Sequence, residues 1–232
     1  MGGDLWDGAL PAGALALALV PLGLILVTSF IKLSVVLSFL RRALGAPEIP
    51  STAIVVAVSA LMSAFIMAPV ALETVRAIEG LPTSPAPLEE ELVGPQPDSV
   101  AAQVDRLKAA ASVFEPLKAW LGRHSGQAER QSFVTLGKAL HPKEDHGWLL
   151  SDDSPLVLLP AFVMTELKEA FIIGFVIFVP FMVLELVVAN TLLSLNMHMV
   201  NPATISLPFK LLLFVLIDGW RLLIEGLILG YV

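Results

Sequence analysis

The chain has 232 residues, of which 56% are hydrophobic and 15% charged, and its mean hydropathy is +0.81. Soluble domains are about 45–50% apolar and about 25% charged, so this composition excludes an ordinary water-facing surface and points to a membrane protein or the core of a membrane-associated complex. A net charge of −7 argues against nucleic acid as a partner, and the absence of cysteine excludes disulfides, thiol nucleophiles and Cys-ligated zinc.

The polar residues are concentrated in one region. Residues 73–153 hold 13 acidic and 8 basic side chains against 8 and 6 in all the rest. The chain therefore divides into an apolar helical hairpin (1–79), a polar insertion (80–153) and a second apolar hairpin (154–232). In the first part, the uncharged runs Gly8–Ile31 and Ile49–Leu72 are each long enough to cross a bilayer, which takes about 20 residues. Asp4 and Asp7 precede the first run without any Lys or Arg, so it does not read as a secretory signal peptide. Arg41 and Arg42, followed by Gly45, Pro47 and Pro50, predict a tight turn between helices over 9–42 and 52–79. The positive-inside rule places that Arg-Arg turn in the cytoplasm and the acidic middle on the opposite, periplasmic side.

The insertion opens on Pro82, Pro85, Pro87, Pro95 and Pro97, which predict an extended solvated linker. Val100, Val104, Leu107, Ala111, Phe114, Leu117 and Leu121 then recur at helical spacing, with Pro116 expected to kink the helix near its end. A second helix is predicted over Gln127–Leu140. His124, beside Arg123, is expected to face water. His141, Glu144, Asp145 and His146 resemble metal ligands by composition, but Pro142 and Gly147 make the segment a loop, and no metal is expected there. Phosphate-loop, nucleophile-elbow and zincin spacings are all missing, so neither an enzyme nor a cofactor is expected.

The second apolar part is interrupted by charge. Glu166, Lys168, Glu169 and Glu185 lie in or beside one long apolar run, and Lys210, Asp218, Arg221 and Glu225 in the next. On an unbroken helix with Lys210 at the origin, Arg221, Glu225 and Asp218 fall at about 20°, 60° and 80°, with Phe214 among them at about 40°. Such a stripe is either self-neutral through the pairs Asp218–Arg221 and Arg221–Glu225 or a face that pairs with neighbouring subunits. The cost of exposing charge to lipid favours assembly pairs for all eight residues. Between the two runs, Asn196, Asn201 and Pro202 predict a hairpin tip that carries Met197, His198 and Met199. Methionine there is either gap-filler in a packed core or the lining of a deformable constriction.

Several long strings resemble the FliP/SctR family of type III secretion export-gate proteins. They are Leu158 to Phe171 (LLPAFVMTELKEAF), Ile173 to Phe181 (IGFVIFVPF), Val200 to Trp220 (VNPATISLPFKLLLFVLIDGW), and the front block from Thr28-Ser-Phe30 to Leu40-Arg41-Arg42-Ala-Leu44-Gly45. The middle region, from Phe114 to Phe133, is closer to the virulence branch than to the flagellar one. The resemblance implies an all-α inner-membrane protein that assembles as a pentamer with SctS/FliQ-like and SctT/FliR-like subunits. Much of that assembly would stand on the periplasmic side, and unfolded substrates would pass through it. It also implies that Met197, His198 and Met199 form the channel gasket, with His198 departing from the three methionines of the flagellar pattern. Two other readings stay open: a small-solute transporter, although 9–79 and 156–232 show no internal repeat, and a non-conducting scaffold of the secretion apparatus.

Overall fold

Every regular element among the described residues is helical, as the apolar runs and the absence of alternating patterns predict. The computed structural model describes residues 23, 25–45, 50–80, 111–140 and 151–232. The proline-rich linker beyond Gly80, the start of the amphipathic face at Val100, the His141–His146 segment and most of the first apolar run lie outside them.

Helix α1 spans Phe30–Leu44. The expected single rod over 9–42 is interrupted at Thr28–Ser29, where the Thr28 hydroxyl accepts from the Phe30 N–H at 3.4 Å. Hydroxyl side chains offer the backbone such a local alternative to the helical ladder. The Ser29 side chain is buried and donates to Ser63 Oγ at 3.2 Å. The helix ends with Arg41 and Arg42 in its last turn and Gly45 at φ +77°, whose N–H donates to the Arg42 carbonyl. Cations suit that carbonyl-rich end, and glycine takes the left-handed cap without a Cβ clash.

Helix α2 runs over Thr52–Glu79, the span the pattern predicts, and is about 42 Å long at 1.5 Å per residue. Helix α3 covers Glu115–His124 and α4 covers Gln127–Leu140. Pro116 does not kink the end of a helix, because the chain breaks at 113–114 and α3 starts afresh with Pro116 in its first turn. There the missing N–H has no helical partner to lose. His124 also departs from expectation. Its ring stacks on Trp120 at 3.8 Å between centroids, and Nδ1 lies 3.0 Å from the Trp120 carbonyl.

Helix α5, Pro155–Ser194, has 40 residues and is about 60 Å long, twice the roughly 30 Å of a hydrocarbon core. Helix α6 spans Pro202–Leu216 and α7 spans Gly219–Leu229. The anticipated single rod over 203–232 breaks between them, with Asp218 in the left-handed region at φ 52°, ψ 48°. Lys210 and Phe214 therefore share α6, while Arg221 and Glu225 belong to a separate helix, and the four charges do not form one stripe. Among the described residues, α2 and α5 are long and apolar enough to cross a membrane.

The chain forms two compact units whose boundaries fall inside α2 and α5. The described residues up to Ser63 with Glu166–Val232 form one, and those of Ala64–Thr165 form the other. In the first, Leu37, Leu40, Ala43 and Leu44 of α1 pack with Val55, Phe181 and Phe214 in one core. In the second, Trp120, Leu121, Val157, Leu158, Ala161 and Phe162 are buried, and the Gly126 N–H donates to Thr165 Oγ1 at 2.8 Å.

Candidate functional site

The first unit organises its charge around Lys32 of α1. Its ammonium lies 3.1 Å from Glu166 Oε1 and 2.6 Å from Glu169 Oε2, both one turn apart on α5. Lys32 is 2% exposed and Glu166 1%, whereas Glu169 reaches the surface. The Tyr231 hydroxyl donates to the other oxygen of Glu166, and the Lys32 ammonium sits 4.1 Å from the Tyr231 ring centroid. Burial, with the Glu166 carboxylate beside it, pushes the Tyr231 phenol above its ordinary value. The phenol therefore stays protonated and serves as a donor. Three segments distant in sequence, α1, α5 and the stretch after α7, are thus joined by one polar cluster.

Neither Lys32 nor Tyr231 stood out in the sequence as a site residue. Lys32 directly follows the uncharged run Gly8–Ile31. A lone lysine between Ile31 and Leu33 is itself the signal, since an ionisable group in such a run requires a counter-charge. Tyr231 is the only tyrosine of the chain and has no distinguishing local pattern.

A second pair ties α5 to α6. Lys210, 3% exposed, donates to Glu185 Oε2 at 2.5 Å. The two meet because Phe214, one turn beyond Lys210, packs against Phe181, one turn before Glu185, so α6 runs antiparallel to this part of α5. Glu166, Glu169, Glu185 and Lys210 are therefore neutralised by their own chain. Arg221 donates to Glu225 Oε1 at 2.8 Å, the local i,i+4 pair, and that hydrogen bond raises the guanidinium further above its ordinary value. Lys168, Asp218, Arg221 and Glu225 all lie exposed on the surface of the chain.

The hairpin tip is built as its turn residues predict. Asn196 adopts φ 59°, and the Asn201 side chain accepts from the Ala203 N–H at 3.0 Å to start α6. Met197 and His198 are exposed, and Met199 is 99% exposed. Both ion pairs around Lys32 and Lys210 are formed without Met197, His198 or Met199, so the structure does not join these three residues and the charges in one site. Among the described residues no three His, Asp or Glu side chains are placed to hold a metal ion.

Exposed apolar side chains line α5, among them Phe171, Phe175, Val176, Met182 and Leu186. With the charges paired internally, this helix presents a surface suited to lipid or to other apolar helices rather than to water.

Comparison with known proteins places this architecture. The profile described as the FliP family matches residues 14–227. Yop proteins translocation protein R of Yersinia pestis is 41% identical over 215 residues, covering 93% of this chain and 92% of the relative. Hypersensitivity response secretion protein HrcR of Ralstonia nicotianae is 37% identical over 218 residues, covering 94% of each. Flagellar biosynthetic protein FliP of Pectobacterium carotovorum is 38% identical over 229 residues, covering 97% of this chain and 80% of that one. Similarity at this level along nearly the whole length leaves one assignment: the chain belongs to the FliP family.

Proposed function

We propose that the protein is a core subunit of the export gate of a type III secretion apparatus and forms part of the channel through which unfolded proteins leave across the bacterial inner membrane. The observation that carries this reading is the family match over residues 14–227, with relatives named for translocation, secretion and flagellar biosynthesis. Two of those names speak of translocation and secretion and the third of flagellar biosynthesis, and the reading assigns no chemistry to the chain. Copies of the chain would assemble as a pentamer together with SctS/FliQ-like and SctT/FliR-like subunits.

The physical features support this reading in two ways. Helix α5 is about twice as long as a bilayer core is thick, so part of its apolar face has to be covered by protein. Neighbouring copies and partner subunits, standing largely on the periplasmic side, provide that cover. The exposed charges Lys168, Asp218, Arg221 and Glu225, with the half-exposed Glu169, lie where they can steer subunits together. At the tip, Met197 and Met199 would meet their counterparts around the ring. Unbranched thioether chains deform as a polypeptide passes and close again behind it. His198 places an imidazole in that collar.

Two measurements test the reading. A photocrosslinker at residue 197 should capture a stalled export substrate in secreting cells; capture of other subunits alone would identify a scaffold rather than a conduit. Replacing Met197 and Met199 by Ala should raise small-solute leakage through the assembled gate. Unchanged permeability of cells carrying that variant would remove the collar assignment.

A further inference from the structure

The backbone of the hairpin tip is fixed by four hydrogen bonds. At the end of α5, Asn196 in the left-handed region turns the chain, and the Asn196 and Met197 N–H groups donate to the Leu193 and Leu192 carbonyls at 3.0 and 2.9 Å. That double closure is a common way for a helix to end on a left-handed residue. The Val200 N–H then donates to the Met197 carbonyl at 3.4 Å, which closes a tight turn with His198 and Met199 at its two central positions. Asn201 caps α6 directly afterwards. Met197, His198 and Met199 are thus held on a defined turn, about 3.8 Å apart from Cα to Cα.

The side chains on this turn share one kind of chemistry. All three are exposed, and Met199, at 99%, fills no gap in the core of its own chain. They offer two thioether sulfurs and one imidazole. Methionine is unbranched and turns about three bonds, so both sulfurs can swing to the imidazole between them. Of the four histidines, only His198 has a methionine beside it, and from Leu186 to Phe209 no other side chain is ionisable. The donor set of the turn is therefore soft, neutral and without a carboxylate.

We propose that Met197, His198 and Met199 bind one soft monovalent metal cation, of the Cu(I) or Ag(I) class, through both sulfurs and one imidazole nitrogen. Thioether and imidazole donors suit such ions, whereas Mg(II), Ca(II) and Mn(II) take carboxylate, carbonyl and water oxygens. Zinc sites are built from thiolate, imidazole and carboxylate, and the turn supplies only the imidazole. A collar of packed methionines accounts for Met197 and Met199 but gives no use to the imidazole between them; metal ligation uses all three. The site lies within one chain and rests neither on ring assembly nor on the channel reading.

The test is isothermal titration of the full-length protein, in a mild non-ionic detergent and a chloride-free buffer, with silver nitrate as the probe. Wild type should bind one Ag(I) per chain at a saturable site, and excess Mg(II) should not compete. Met197→Leu and Met199→Leu keep the size and apolarity of the side chain and remove the sulfur. Each should weaken binding about tenfold or more, since even the groups that support a metal ligand are worth about 10–100-fold in affinity. His198→Gln should do the same. Replacing His141 and His146 together by Ala, or Met164 and Met182 together by Leu, should leave the affinity unchanged. The three tip residues are exposed, and circular dichroism confirms that each variant folds. No saturable binding by wild type, or full affinity in the double variant Met197→Leu with Met199→Leu, overturns the proposal. So does full affinity in His198→Gln, a loss in the His141 and His146 variant, or one ion shared among several chains.

Discussion

Lys32 and Arg221 each carry a positive charge on an apolar helix and each meets a glutamate, yet the two sites differ in almost everything else. Lys32 is sealed from solvent between two carboxylates and an aromatic ring supplied by distant segments, whereas Arg221 reaches along its own helix to Glu225 in the open. The attraction between the charges is available at both sites. What differs is desolvation: the buried pair has lost its water, so each member depends on the other, while the exposed pair falls back on solvent.

That contrast can be broken one residue at a time. The largest effect is expected from Lys32→Ala, which strands the Glu166 carboxylate. It should lower the unfolding free energy of the purified protein by about 3–5 kcal/mol in a urea titration in detergent. The double change Lys32→Met with Glu166→Leu should recover most of that loss, because apolar side chains of similar volume remove the need for pairing. A double variant as unstable as Lys32→Ala would mean that packing rather than charge holds the site together. Tyr231→Phe keeps the ring against Lys32 and deletes the donor to Glu166; about 2 kcal/mol should be lost, as for a hydrogen bond to a charged group. Arg221→Ala should leave the denaturation midpoint unmoved, and a clear destabilisation there would erase the distinction between the two sites.

Functional assays sharpen the same comparison. Arg221 and Glu225 face outward, so their substitution should act on export and assembly without unfolding the subunit. Lys32 variants should lower the amount of folded protein before any effect on export is seen.

Much of the fold is legible residue by residue. Thr52–Glu79 and Gln127–Leu140 end where pattern and turn residues place them, and Asn196, Asn201 and Pro202 build the anticipated tip. The failures are as specific. Asp218-Gly219 is a turn dipeptide, and it stops the rod that the apolar residues on either side predict, so Arg221 and Glu225 fall on a helix separate from Lys210. Thr28-Ser29 interrupts the first rod for a similar reason. Pro116 was legible as a disruption but not as a helix start, because that depended on the chain breaking at 113–114 just before it.

Composition and periodicity by themselves determined that this protein is helical, that its ends are apolar and its middle polar, and that the charges in its apolar helices need counter-charges. They act through backbone geometry and water, which every residue meets locally. Only the tertiary structure decided which charges pair: Lys32 with Glu166 and Glu169, and Lys210 with Glu185, across separations that no helical spacing encodes. Those choices follow from the direction in which α1 and α6 pack along α5. Once packed, a buried charge takes the partner that reaches it in the absence of water.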